Sequence, residues 1–235
     1  MSAAKLLRLA GVRGLIAQKM RESLEKTAQL SFFCDIDASA LAAARADWKA
    51  AGIKVGYEDL VIRALADILP EFPLFNALET AAGVEPQAAI HVACAIALPG
   101  MLLAPAIFDV AGLSVDQIAR AREDLVARAR LNKLTVPEMT GGTITISNLG
   151  LTRVRHFTPI INHPQQAIIG LGQIAPRPWV KPDGTTLVVA PVMGLSLTVD
   201  HRVIDGAPAG EFLSALAEAL EHRVARPIAA MAELS

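Results

Sequence analysis

Five strand-like runs crowd the second half of this chain, and no helical periodicity separates them. They are Thr143–Ser147, Gln166–Gly170, Gln173–Val180, Thr185–Ala190 and Pro191–Val199. Short apolar runs bounded by Gly, Pro and Asn read as strands. Pro182-Asp183-Gly184 supplies a hairpin turn between two of them. Upstream, the runs Ser31–Asp37, Ala88–Ala97 and Met101–Phe108 are interleaved with helical segments. Strands that first alternate with helices and then follow one another predict an α/β fold with a mixed sheet covered by helices.

The helical segments carry their own punctuation. Gly11–Thr27 sets Leu15, Ile16, Met20 and Leu24 on one side. Ser39 is the expected cap of a helix that runs to Ala51 and stops at Gly52. Asp59–Leu69 is stopped by Pro70. Ser114 and Gln117 form a capping box. The helix after it points Val115, Ile118, Leu125 and Ala129 inward, and Arg120, Arg122, Glu123 and Arg128 outward. Ala207–Val224 closes the chain with Phe212, Leu213, Leu216 and Leu220 as its inner face. With no repeat or linker, one domain over residues 1–235 is the simplest account.

Composition excludes several function classes. Hydrophobic residues make up 53% and charged residues 19%, so the core is sizeable and some apolar surface is expected to be covered by other subunits. A net charge of −1 offers no basic excess for a nucleic-acid partner. No apolar stretch reaches the roughly 20 residues of a membrane span. Cys34 and Cys94 lie in apolar runs and read as buried free thiols of a reducing compartment. Met1–Arg8 lacks a secretory pattern, so a cytoplasmic protein is expected. His91, His156, His163 and His222 are scattered without ligand spacing, and no metal site is expected.

The chemistry concentrates in Asp200-His201-Arg202-Val203-Ile204-Asp205-Gly206. A charged triplet interrupts an apolar strand where a loop begins, and buried charges need partners. Histidine titrates near neutrality and suits proton transfer from a thiol. Read blandly, His201 is a core histidine and Asp205 a helix-start aspartate. Ser147 ends a strand before the turn Asn148-Leu149-Gly150. It is either a turn serine or a hydroxyl donor for an oxyanion. Arg153, Arg155 and His156 follow as a basic cluster, either a solvated loop or a seat for phosphate groups. Gly170-Leu171-Gly172-Gln173-Ile174-Ala175 fits a dinucleotide pattern but lacks the helix that such a site requires.

Taken together these motifs closely resemble the catalytic domain of dihydrolipoamide acyltransferases, the core components of 2-oxoacid dehydrogenase complexes, whose fold is that of chloramphenicol acetyltransferase. The resemblance rests on Asp200–Gly206, Gly141–Gly150 and Phe157–Asn162. Further matches are Gly11-Val12-Arg13 through Met20, Phe72-Pro73 with Asn76, Lys133-Leu134-Thr135 with Glu138-Met139, and Ala190–Met193. It implies a two-layer sandwich and a homotrimer with active sites between subunits. Coenzyme A and a lipoyl arm, carried by another domain or protein, would enter from opposite ends. His201 would be the general base and Ser147 the oxyanion donor. Asp205 would fix the histidine loop through an ion pair, with Arg13 as its candidate partner. Arg153 and Arg155 would hold coenzyme A. The implied partners are a lipoyl-bearing protein, a decarboxylating 2-oxoacid dehydrogenase and lipoamide dehydrogenase.

The chain departs from the family in four places. It shows no lipoyl or peripheral-subunit-binding domain, and Ala97–Pro105 is more apolar than the family's segment. Larger side chains replace the Gly-rich loop at Leu151–His156. The tail Arg223–Ser235 is a weaker anchor, so a cage beyond the trimer is less firmly expected. A weakly catalytic scaffold and a stand-alone acetyltransferase for a small acceptor stay open as alternatives.

Overall fold

The computed structural model describes residues 9–98, 100–225 and 227. In chain order the elements are α1 (Gly11–Lys26), β1 (Gln29–Asp37), α2 (Ser39–Ala50), α3 (Tyr57–Ile68), β2 (Ala77–Thr80), β3 (Gly83–Pro86), β4 (Val92–Cys94), β5 (Ile96–Leu98), β6 (Met101–Leu103), β7 (Ala106–Ile107), α4 (Val115–Arg130), α5 (Val136–Thr140), β8 (Ile144–Asn148), β9 (Ala167–Val180), β10 (Leu187–Asp200) and α6 (Gly206–His222). Six strands form one sheet in the order β1-β10-β9-β8-β4-β7. The β8 strand runs parallel to both β9 and β4, and the other pairs are antiparallel. The sheet is therefore mixed, as the order of strand-like runs predicts.

One face of the sheet carries the helices. α2 and α6 pack on β10 and β1, and α3 is flanked by α6 and α4. Ile36, Leu195, Leu197 and Val199 of the sheet meet Leu41, Leu65 and Leu216 of the helices, all fully buried. Phe75 stacks on Phe212 with centroids 4.1 Å apart, and Phe72 meets both edge-on. Asp59, buried in the first turn of α3, accepts from Gly56 N (2.7 Å) and from Arg122 Nε (2.5 Å). This ion pair turns Arg122 inward, against the outward position expected for it, because a buried carboxylate requires a cationic partner.

Two pairs of expected strands are in fact single strands. β9 runs unbroken through Leu171-Gly172 and on through Pro176 and Pro178, and β10 runs through Pro191. Pro176 stands opposite Pro191. The Pro191 carbonyl points away from β9 to accept from Ala38 N, so the facing pair is a non-hydrogen-bonded one, which proline tolerates. Conversely, Ala88–Ala97 divides into β4 and β5, and Met101–Phe108 into β6 and β7. The expected Ser39 cap also shifts. Asp37 Oδ1 accepts from Ser39 N at 2.9 Å, and Ser39 is the first helical residue.

α1 lies over the other face of the sheet, beside Thr145, Ser147 and Ile168. Its predicted apolar stripe is not buried within the chain, since Leu15 is 68% exposed and Leu24 53%. The anchor is polar instead: Ser23 Oγ donates to Ile161 O (2.6 Å) and Thr27 Oγ1 to Ser23 O (2.5 Å). Most of the tail at Arg223–Ser235 lies outside the described residues.

Removing a ring from the aromatic stack tests the core. Phe212→Ala should lower unfolding stability by about 3–5 kcal/mol, read as a lower denaturant midpoint at unchanged slope.

Candidate functional site

Ser147 sits near the end of β8 and projects to the α1 face. It lines an apolar cleft of about 440 Å³ together with Leu15, Lys19, Leu102, Met139 and Asn162. No described residue engages its hydroxyl. Lys19 also lines the cleft, and burial holds its ammonium below the ordinary lysine range, against the pull of Glu22. The next residue, Asn148, turns to the helix side. There Asn148 Nδ2 donates to Glu58 at 3.4 Å, and burial pushes the Glu58 carboxyl above its ordinary range. Asn148 and Glu58 line a second cleft of about 450 Å³ with Arg45, Tyr57, Leu151 and Leu171.

His201 opens the turn after β10. Its backbone N–H donates to Ala28 O (2.8 Å), and its side chain is 43% exposed. Asp205, the N-cap residue of α6, brings Oδ1 to 3.8 Å from His201 Nδ1. The expected Arg13 partner is exposed on α1, and the ion pairs of the described residues include none between Arg13 and Asp205.

The carboxylate that is held tightly is Asp200, whose side chain is 0% exposed. It accepts from Ala28 N, from Arg202 N and, through both oxygens, from the Arg202 guanidinium (shortest 2.6 Å). Burial works to raise its pKa, but these donors prevail and hold it below the ordinary carboxylate range. Arg202 reaches on to Glu79 at 2.8 Å, and Glu79 meets His163 Nε2 at 3.2 Å. The charged triplet marks Asp200 and Arg202 in the sequence. Glu79 and His163 carry no local signal.

Sheet register shows which residues do not meet. Ser147 pairs with Gly170, and Gly170 with Ser196. His201 is five residues beyond Ser196, so at usual strand spacings it lies roughly 15–20 Å from Ser147 within one chain. Of the basic cluster, Arg155 is bound to Asp35, which also contacts His156 Nε2 (3.2 Å) and Arg177 Nη1 (3.8 Å). Arg153 is exposed and engaged by no described residue. A Cβ at Gly172 or Gly194 would collide with the Arg155 carbonyl oxygen, so this loop is wedged onto the bulge between β9 and β10. Cys34 and Cys94 are free thiols, and burial pushes Cys34 up to about 11.

The family model described as 2-oxoacid dehydrogenases acyltransferase (catalytic domain) matches residues 2–227. The chain belongs to this family. The dihydrolipoyllysine-residue acetyltransferase component of the pyruvate dehydrogenase complex from Mycobacterium bovis is 38% identical over 220 residues. That stretch is 89% of this chain and 40% of that protein, so the chain spans less than half of this curated relative's length. The cubic core of a pyruvate dehydrogenase multienzyme complex superposes with a TM-score of 0.88 at 31% identity, covering 94% of this chain and 93% of that one. The dihydrolipoamide acetyltransferase from Azotobacter vinelandii gives the same values. It was studied for the role of a serine, a histidine and, four positions after the histidine, an asparagine in its catalytic mechanism. Asp205 stands at that same interval from His201. Chloramphenicol acetyltransferase, at 18% identity and a TM-score of 0.54 over 88% of this acyltransferase-family chain, shares the fold.

Asp200 and Glu79 both have lowered pKa values in the folded state, the latter first through its bond from Arg202. They contribute stability that is present above the ordinary carboxylate range and lost as pH falls through their folded values. The denaturant midpoint should therefore drop as pH is lowered from about 5 to about 3. In Asp200→Asn the drop should be shallower, from a lower starting stability.

Proposed function

We propose that the chain moves a short acyl group between a dihydrolipoyl thiol and coenzyme A, as the core acyltransferase of a 2-oxoacid dehydrogenase complex. One observation carries this beyond family membership. The Ser147 hydroxyl and the His201 imidazole are both open, each is held by an ordered backbone, and they stand on separate parts of one chain. Such a pair becomes a site when a second copy sets its His201 against the cleft of the first.

The chemistry follows from the residues. Asp205 lies on the Nδ1 side of the ring, 3.8 Å away, and Nε2, on the far side, is the nitrogen that would act as the base. A thiol of pKa ~8.5 is mostly protonated at neutral pH. His201 removes that proton as sulfur attacks the thioester carbonyl. The tetrahedral oxyanion accepts a hydrogen bond from Ser147 Oγ, and collapse expels the second thiol, which takes the proton back from His201.

Two clefts flank the serine turn, and their linings differ. The cleft at Ser147 is apolar and suits a lipoyl arm. The helix-side cleft shares Arg45 and Tyr57 with a groove of about 500 Å³ that also carries Lys49 and Lys54. Basic groups beside an aromatic ring suit the phosphates and adenine of coenzyme A. Arg155 is already committed to Asp35, which leaves Arg153 as the loop's contribution to that seat. A homotrimer within a larger core, served by a lipoyl protein, a decarboxylating 2-oxoacid dehydrogenase and lipoamide dehydrogenase, completes the reading. The exposed Leu15, Leu24 and Leu102 support a covering partner, and the cubic-core relative supports the larger assembly. The free thiols support a reducing, cytoplasmic setting.

Transfer from acetyl-coenzyme A to dihydrolipoamide is the direct assay. His201→Ala should abolish it, and Ser147→Ala should lower kcat by about 10²–10³. Subunits of the two variants, mixed and reassembled one to one, should regain about a quarter of the parent rate, since a quarter of shared sites would then pair an intact histidine with an intact serine. No recovery on mixing would overturn the site shared between copies. A second expectation concerns coenzyme A: Arg45→Ala with Lys49→Ala should raise its KM by tenfold or more while kcat changes little, and an unchanged KM would return that groove to ordinary surface.

A further inference from the structure

We infer that Glu79, acting through Arg202, is a positioning residue for His201. The inference rests on the reading of His201 as the general base, and it adds a residue distant in sequence that this reading does not otherwise require.

His201 is held almost entirely by its backbone. Among the described residues its ring has one charged neighbour, Asp205, at 3.8 Å, and Asp205 is itself 85% exposed. Where the imidazole points therefore depends on the turn from Asp200 to Ile204. Three backbone bonds define that turn: His201 N to Ala28 O at 2.8 Å, and Val203 N and Ile204 N to Asp200 O at 3.0 Å each. The Asp200 carboxylate, buried beneath it, is gripped by the Arg202 guanidinium.

Arg202 is shared. Nη2 donates to Asp200 Oδ2 and to Glu79 Oε2, and Nη1 to Glu79 Oε1. Glu79 lies on β2, outside the six-stranded sheet. Its own backbone is tied to the segment before β9, since Glu79 N donates to Pro164 O at 2.8 Å. Its carboxylate also meets His163. The planar fork of Arg202 thus joins the histidine turn to β2, a strand outside the six-stranded sheet. Without Glu79 the guanidinium keeps its two-point grip on Asp200 but loses its second carboxylate, and with it the tie from the histidine turn to β2.

A structural role alone would leave a different trace. Glu79 and Arg202 are both partly exposed, so the stability that their ion pair adds is small beside that of the buried Asp200 pair. A misplaced base, in contrast, lowers turnover without altering substrate affinity.

Glu79→Gln and Glu79→Asp test this in the full chain, with kinetics, melting temperature and amide hydrogen exchange measured together. Glu79→Gln should lose tenfold or more in kcat, with KM for coenzyme A within twofold and melting within a few degrees of the parent. Exchange at Val203 and Ile204 should quicken. Glu79→Asp, which keeps the charge, should recover part of the rate. Unchanged kcat and unchanged exchange would overturn the inference, even with His201→Ala inactive and the proposed function intact. A kcat loss that tracks loss of folded protein would also overturn it. If the parent itself transfers no acyl group, the proposed function fails, and exchange at Val203 and Ile204 decides the clamp alone: unaltered protection in Glu79→Gln removes it.

Discussion

The antiparallel pairing of β9 with β10, strands of fourteen residues each, carries both halves of the candidate site. On one flank, β9 pairs in parallel with β8 and so sets the height at which Ser147 leaves the sheet. On the other, β10 pairs with β1 from Val192 to Asp200 and delivers Asp200 beneath the histidine turn. A slip of one residue between β9 and β10 would turn Ser196 and Thr198 into the core and Leu195 and Leu197 out of it. The register is protected by that cost, and by the bulge where Gly172 and Gly194 accept the Arg155 carbonyl against their backbones.

On the proposed assembly, the geometry that keeps Ser147 and His201 apart gives the open apolar surface a purpose. An apolar stripe on α1 faces away from its own core, next to a cleft lined by Leu102 and Met139. Left in water, that surface would be a liability for a lone chain. Covered by a second copy, it would close the cleft and strengthen every polar contact within it, because hydrogen bonds to developing charge gain as water is excluded.

What the sequence made legible was local. The capping box at Ser114 and Gln117 is formed, and the apolar face of α6 is buried as its spacing predicts. His201 and Asp205 could be paired on paper because four residues across a helix start is a short-range relation. Three errors share a cause. Leu171-Gly172 and Pro191 read as strand boundaries, Arg122 read as outward, and Ser39 read as a cap, since nothing nearby shows the facing strand, Asp59 or the Asp37 side chain. Glu79 and His163 were invisible for the same reason. They join the histidine turn only after β2 and the segment before β9 are brought together in space.

The prolines of the long ribbon have a consequence for life in a crowded solution. Beyond Leu171, β9 has no strand beside it on its outer edge among the described residues. Its register puts the backbone nitrogens of Pro176 and Pro178 on that edge, and neither bears a hydrogen. A foreign strand approaching there finds acceptors without the alternating donors that β-pairing needs. The ribbon can stand out from the sheet, with Val180, Leu187 and Val189 exposed, and still be a poor template for aggregation.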